Sequence, residues 1–368
     1  MRIIPTIPPY APFLKDLASH ALIQGFRLNT VMPVHESLEE LLKRLQLIVD
    51  NKEIWIDLKC RQIRTSHGAF FNPIKEPRIY ELHGEKYILD PSNPKVHGEL
   101  NSPPWAVLKI DRKIKLDFSD GPIRCWFQDG YDKAYICAVE DGDTLIMLDG
   151  PRRVVGGGES INILHPSLEI EGYLTPRDVQ YIEAAKSVGI HTYMPSYVES
   201  NDDVKAILEL DPDAEIIAKV ESEKGLEWVR TAYKSESLCN LMAARGDLYV
   251  ETAIRRPERI LWALETIVRN DCDAVVASRI LTSLRESSRP TCSDITDIYA
   301  MIEMGYARFM VGDDICFNEN SIMLALDIMK AIDDGHDDHV HTSMADDIAC
   351  KDDTPTIEDR SYIPAPLA

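Results

Sequence analysis

Lys219-Val220-Glu221 closes an apolar run, and the period-two alternation of a strand turns both charged side chains to one face. An ammonium beside a carboxylate suits a plain salt bridge, and it also suits a site where developing negative charge must be stabilised. The next apolar run ends at Ala243 and leads into Arg245-Gly246-Asp247-Leu248, which puts a second carboxylate at the neighbouring strand end. Two carboxylates from adjacent strands suit Mg²⁺ or Mn²⁺, whose remaining positions go to water and substrate oxygens. Gly246 lets backbone N–H groups come close to an anion such as a carboxylate, while Arg245 is equally suited to bracing the loop. The other polar groups at expected strand ends are Arg27 and Asn29, Asp57 and Lys59, Ser196 and Ser278.

Elements must bring these groups together. Short apolar runs at Ile3–Ile7, Phe26–Thr30 and Ile54–Leu58 are followed, after an interruption, by Ile190–Ser196, Glu215–Val220, Leu238–Ala243, Ala274–Ser278 and Arg308–Gly312. Helical segments alternate with them. Glu36–Val49 repeats leucines at helical spacing, Thr175-Pro176 opens another as N-cap and first residue, and Pro257–Arg269 forms a third. Eight continuous apolar strands, each followed by a helix, predict an α/β fold, a (β/α)₈ barrel whose reactive groups sit at the carboxyl ends of the strands.

The interruption, residues 66–158, breaks that rhythm with short alternating strands at Lys113–Phe118, Ile123–Phe127, Lys133–Ala138 and Thr144–Leu148. It reads as a small all-β domain inserted after the third strand. Asp120-Gly121 is the stronger hairpin signal and Asp141-Gly142 the weaker, and Gly156-Gly157-Gly158 suits a hinge. The expected organisation is therefore 1–65 and 159–332 for the two parts of the barrel, 66–158 for the insertion, and 333–368 for an acidic, disordered tail. His336, His339 and His341 in that tail read as solvated side chains rather than metal ligands.

The 368 residues carry a formal net charge of −21, which disfavours a nucleic-acid partner, since a polyanion would be repelled. The eight cysteines contain no CxxC pair and read as free thiols of a reducing compartment; no export signal or membrane span is visible, so the expected location is the cytoplasm.

Ala218-Lys219-Val220-Glu221, then Met242 to Leu248, then Ser278-Arg279-Ile280-Leu281-Thr282-Ser283-Leu284 ending in Arg289-Pro290-Thr291, resemble the pyruvate kinase family in order and spacing. Upstream, Thr6-Ile7, Arg27-Leu28-Asn29, Asp57-Leu58-Lys59 and Ile63-Arg64-Thr65 are similar to the family's N-terminal motifs, so the likeness runs over about residues 3 to 332. The resemblance implies an enzyme acting on phosphoenolpyruvate or pyruvate through a divalent-metal-bound enolate. It implies that Glu221 and Asp247 hold Mg²⁺ or Mn²⁺, that Lys219 and Arg27 stabilise the enolate and the phosphoryl group, and that Ser278 helps protonate the enolate carbon. Gly246, Asp247, Asn29 and Ser196 become the expected substrate-binding positions and Arg64 the nucleotide-binding one, with the insertion as a mobile lid.

Some positions depart from the family. The hydroxyl residues of its potassium site are Val31 and Leu58 here, and its glutamate before Ile63 is Gln62, so K⁺ is not expected to be required. Tyr249 stands in place of a glycine, Glu199 of an arginine, Arg279 of a glutamine, Gly158-Glu159 of a basic pair, and Gly312-Asp313-Asp314 of a serine–glycine–glutamate run. The chain ends where the family's regulatory domain would begin. A pyruvate kinase-like phosphotransferase using a nucleotide diphosphate is the leading expectation. A metal-dependent lyase, aldolase or decarboxylase acting on pyruvate or oxaloacetate is the alternative, and a non-catalytic binding protein the third. The partners expected are small molecules, with neither nucleic acid nor membrane, and a homo-oligomer stays open.

Overall fold

The computed structural model describes residues 1–50, 52–66, 72–73, 78–82, 85–89, 106–148, 150–151, 155–234 and 239–346. Eight strands, β1 (Arg2–Pro5), β2 (Gly25–Asn29), β3 (Glu53–Leu58), β4 (Thr192–Pro195), β5 (Glu215–Val220), β6 (Cys239–Ala244), β7 (Val275–Ala277) and β8 (Arg308–Val311), form one parallel sheet. Its order is β1-β8-β7-β6-β5-β4-β3-β2, so each strand after β1 lies beside its neighbour in sequence. The ends β1 and β2 meet through the isolated parallel bridges Ile3↔Ile23 and Thr6↔Arg27, which roll the sheet into a nearly closed barrel.

The strand period explains why these runs are apolar throughout. Ile4, Ile217, Met242, Val275 and Met310 point inward and pack with Trp55 and Met194 inside the barrel. Their neighbours Ile3, Ile216, Leu241, Val276 and Phe309 point outward against the helices. A strand covered on both faces needs no polar side. The covering helix Leu38–Val49 starts from a capping box between Ser37 and Glu40 and buries Leu41, Leu42, Leu45 and Val49. Pro176–Ser187 starts the same way, with Thr175 and Asp178.

Between β3 and β4 lies a separate antiparallel sheet. Its strands run in the order Ile161–Ile163, Ile123–Phe127, Asp132–Glu140, Thr144–Leu148, Ala106–Lys109, Asn72–Pro73, so the insertion extends past the expected boundary at 158 and takes in 159–163, whose strand pairs with Ile123–Phe127 rather than with the barrel. Leu108, Ile123, Cys125, Phe127, Ile136 and Leu145 give it a core of its own. The turn expectation is reversed here. Asp141-Gly142 makes the hairpin, with both residues in the left-handed region at φ 51° and 79°, joining paired antiparallel strands. Asp120-Gly121 joins strands of different sheets, because Ile114–Lys115 pairs with Glu169–Ile170. Gly156 and Gly158 are stitched to Thr65 rather than left loose: the Thr65 hydroxyl donates to the Gly156 carbonyl, and the Gly158 N–H to the Thr65 carbonyl.

The acidic tail also differs from expectation. Helix Glu319–Asp346 runs straight past Ile332, and residues 347–368 lie outside the described residues. Its apolar face (Ile322, Ala325, Leu326 and Met329) is buried on the barrel, and two aspartates beyond that face find partners. Asp333 accepts from the Met1 ammonium at 2.7 Å, and Asp334 meets Lys330 at 3.2 Å. His336 meets Glu303 at 2.8 Å and packs edge-on to Tyr299. No helix among the described residues is long and apolar enough to cross a membrane.

Candidate active site

Three cations converge on one carboxylate. Asp57, near the carboxyl end of β3, is fully buried. Lys219 Nζ lies 2.7 Å from its Oδ1, and Lys59 Nζ lies 2.8 Å from its Oδ2. Arg27 reaches Oδ2 through Nε at 2.8 Å and a terminal nitrogen at 2.5 Å. Arg27 also donates to Thr6 Oγ1 at 2.9 Å and to Asp313 Oδ1 at 2.8 Å, and Asn29 donates to Asp313 Oδ2 at 2.7 Å. Because β5, β3 and β2 are close in the barrel order, residues 192 positions apart in sequence share one anion.

Burial alone would raise the Asp57 carboxyl, but Lys219, Lys59 and Arg27 together hold it well below the usual range. Burial would likewise push Lys219 down, yet Asp57 and Glu221 outweigh it and its ammonium is raised above the ordinary value. Lys59 goes the other way: burial, aided by Arg64, Lys219 and Arg27 against the pull of Asp57, lowers it to about 7. Lys219 is thus the lysine whose charge the site secures.

Next to it stand the carboxylates. Glu221, just past β5, accepts the Tyr197 N–H at 2.8 Å and has its other oxygen 3.6 Å from Lys219 Nζ. Burial, with Asp247 adding repulsion and Lys219 opposing it, pushes Glu221 up to about 7. Asp247, on the short helix Arg245–Leu248, accepts from Gln62 Nε2 at 2.8 Å and from Asn162 Nδ2 at 3.0 Å. Glu251 also takes Asn162 Nδ2 at 3.0 Å and is pushed up to about 8, chiefly by burial, with Asp247 and Glu199 adding to it. The donor set fits a divalent cation: two carboxylates from adjacent strand ends, close enough that Asp247 disfavours charge on Glu221, hold negative charge that one Lys219 does not balance. Arg245 braces the loop, meeting Asp297 at 2.7 and 2.9 Å and the Ser278 carbonyl at 2.7 Å.

A cleft of about 530 Å³ opens above these groups, and Arg27, Asn29, Arg64, Asp247 and Ser278 line it. Lys219 and Glu221 are buried and do not line it; Lys219 reaches it through Asp57, which Arg27 of the cleft wall also holds. Ser278 has φ 69°, followed by Arg279 at 59° and Leu281 at 52°, a run of left-handed non-glycine residues at the mouth of β7. From the insertion come Gln128, Asp129, Gly158 and Glu159. A Cβ on Gly246 would stand 3.5 Å from Asp129 Oδ2, so the insertion comes right up to that glycine. Arg64 is spent on Gln62 Oε1 at 2.9 and 2.6 Å and on the Gly158 carbonyl.

Ser196 is not brought to the cleft. It is fully buried, and its hydroxyl donates to the Leu58 carbonyl at 2.8 Å, tying β4 to β3. In contrast, Gln62, Asn162, Glu251 and Asp313 are drawn in although sequence gave them no positive role. Among the described residues, one group of three metal-type ligands occurs, His191, Asp211 and Asp213. It precedes β4 and β5, at the amino end of the barrel, where Asp211 accepts from His191 and from the Tyr193 hydroxyl at 2.7 Å. That placement belongs to stability rather than chemistry.

The chain is similar to proteins called pyruvate kinase from Borreliella burgdorferi (25% identical over 317 residues, 84% of this chain and 62% of that protein). It is similar to those from Thermoplasma acidophilum (24% over 351 residues, 92% and 58%) and Thermotoga maritima (26% over 294 residues, 75% and 58%). The chain spans about three fifths of the length of these relatives. The family described as pyruvate kinase, barrel domain, matches residues 19–314, a stretch that takes in β2 through β8 and the β insertion between them. A match over that much of the barrel settles the relationship: the chain belongs to the pyruvate kinase family.

Proposed function

We propose that the protein is a phosphotransferase that moves the phosphoryl group between phosphoenolpyruvate and a nucleoside diphosphate, by way of the enolate of pyruvate. One observation carries the reading: Lys219, buried yet held in its charged form, sits 2.7 Å from Asp57 and 3.6 Å from Glu221, in the cluster that also fixes Arg27 of the cleft wall. A fixed, desolvated ammonium is worth far more to a developing oxyanion than one in water. Arg27, locked by Asp57, Thr6 and Asp313, keeps one terminal N–H uncommitted, and that hydrogen serves the phosphoryl group. The Ser278 hydroxyl, on the cleft wall, delivers the proton to the enolate carbon. Glu221 and Asp247 would hold a divalent cation, Mg²⁺ or Mn²⁺, which when bound would supply Lewis-acid stabilisation. The insertion serves as a lid that excludes water, since Asp129 and Glu159 from it line the cleft.

K⁺ is not required in this reading. Both Asp57 oxygens face side-chain cations of this chain, the Asn29 side-chain oxygen accepts the Val31 N–H at 3.3 Å, and the side chains of Val31 and Leu58 carry no oxygen. Turnover is expected to be the same in K⁺ and Na⁺ buffers; strong stimulation by K⁺ alone counts against it.

A second reading has one observation in its favour. Arg64 is occupied by Gln62 and the Gly158 carbonyl, and Glu159 lines the same cleft, so the expected nucleotide-phosphate contact is not free. A lyase or decarboxylase forming the same enolate from pyruvate or oxaloacetate needs no such contact. Pyruvate formation from phosphoenolpyruvate, followed with Mg²⁺ or Mn²⁺ and with or without each nucleoside diphosphate, separates them. Nucleotide-dependent turnover supports the first reading; its absence together with cation-dependent proton exchange of pyruvate supports the second. Neither signal sinks both.

A further inference from the structure

Each carboxylate oxygen of Asp247 is taken by a neutral amide. Gln62, on the loop after β3, donates Nε2–H to Oδ2 at 2.8 Å; Asn162, on the Ile161–Ile163 strand of the insertion, donates Nδ2–H to Oδ1 at 3.0 Å. Both side chains are buried, at 4% and 2% exposure, so solvent cannot replace either bond. The Gln62 amide has only one workable orientation. Its Oε1 accepts from Arg64 at 2.9 and 2.6 Å, which leaves the NH₂ group facing Asp247. Neutral donors suit a cation ligand because they fix its direction without competing for its charge. A lysine or arginine in either place would oppose cation entry, and a glutamate at position 62 would set one more carboxylate against Asp247.

Asn162 is overcommitted. Its Nδ2 lies 2.8 Å from the Tyr197 hydroxyl and 3.0 Å from both Asp247 and Glu251, and two hydrogens cannot serve three acceptors. Its Oδ1 meets no donor among the described residues. A buried amide with competing partners has more than one arrangement of similar energy, so a change at Asp247 is felt on the strand that carries it.

We propose that Gln62 and Asn162 are positioning residues that hold Asp247 in the direction a divalent cation needs, and that through Asn162 the cation's occupancy is coupled to the seating of the β insertion. The inference rests on Glu221 and Asp247 being the cation ligands. Losing a hydrogen-bond partner behind a ligand commonly weakens metal affinity about 10-fold to 100-fold. Coupling of this kind is reciprocal: what the cation gains from a seated strand, the strand gains from the cation.

The test titrates the full chain with Mn²⁺ by calorimetry, and follows hydrogen exchange of residues 161–163 with and without Mn²⁺. Gln62→Met and Asn162→Leu are each expected to weaken Mn²⁺ binding by about 10-fold to 100-fold. Saturating Mn²⁺ should restore turnover in Gln62→Met, an affinity effect without loss of kcat. Mn²⁺ should slow exchange at residues 161–163 in the wild type and in Gln62→Met but not in Asn162→Leu. Asn162→Ser keeps a small polar side chain and carries the exchange arm should the leucine variant misfold. Wild-type Mn²⁺ affinity in both folded variants, with Asp247→Asn having lost the ion, overturns the inference while leaving the ligand assignment intact. A wild type that binds no Mn²⁺ overturns both.

Discussion

Lys219, buried and charged, and Glu251, half-buried and protonated, have opposite fates, and each gives a measurable consequence. In a Lys219→Met variant, Lys59 and Arg27 still hold Asp57, so folding and Mn²⁺ binding should survive. Turnover should fall by roughly 10³, about 4 kcal/mol, the cost of removing one preorganised oxyanion contact. A folded variant turning over at the wild-type rate removes Lys219 from the mechanism. Glu251 is raised from 4.5 to about 8, so the folded protein keeps a proton that the unfolded chain has released between those values. Its contribution to stability is complete below pH 4.5 and is lost as the pH rises through about 8. Glu251→Gln should therefore lose less stability than the wild type between pH 5 and about pH 8.5 in urea unfolding. Parallel losses would show that Glu251 is not protonated in the fold. The period-two pair Lys219 and Glu221 was legible in sequence because both partners lie on one strand. The cluster on Asp57 was not, since its members come from β2, β3 and β5. Asn162 carried no signal at all: a lone asparagine between Ile161 and Ile163 reads as an outward-facing strand residue, yet all three are buried.

Among the elements, the helix Pro176–Ser187 does more than cover the barrel. Asp178, three residues past its cap, accepts from Thr175 N–H at 2.8 Å and also from the backbone of Lys59 at 2.8 Å and Cys60 at 3.0 Å. One side chain therefore closes a helix start and fixes the turn that carries Lys59 out of β3. Asp178→Ala should cost about 3 kcal/mol, combining a lost cap with two buried N–H groups left unpaired. Chemical denaturation measures it, and a loss under about 1 kcal/mol, the worth of the cap alone, would mean that water replaces the carboxylate. All eight barrel strands were readable as apolar runs because each is covered on both faces. The turns were less so. Asp120-Gly121 and Asp141-Gly142 look alike locally, and only the pairing of Ile114–Lys115 with Glu169–Ile170 decides which one reverses the chain within a sheet. The helix across Ile332 was missed for a related reason: charge density was read as a lack of core, but Ile322, Leu326 and Met329 anchor one face and leave the aspartates free to point elsewhere.

For the molecule as a whole, the question is how insertion and barrel meet. The turn Gln128-Asp129-Gly130 is left-handed at all three residues, and the Asp129 carbonyl accepts from Arg279, which stacks on Tyr249 at 5.1 Å. Two of the departures from the family, Arg279 and Tyr249, thus work as one unit against the insertion. A Cβ on Gly130 would lie 2.9 Å from Ile254 Cδ1 at φ +89°, so Gly130→Val should unseat this turn without touching either core. Faster hydrogen exchange at residues 128–130 is expected, and unchanged protection would show the contact to be incidental.

Entry and exit of the insertion run side by side: Thr65 N–H donates to the Glu159 carbonyl at 2.9 Å, and Gly158 N–H returns to the Thr65 carbonyl at 3.0 Å. The chain therefore leaves the barrel and returns to it at neighbouring backbone positions, with a whole second sheet between them. Such a doorway makes the insertion a cassette, which a lineage can lengthen, trim or exchange while the eight staves keep their register.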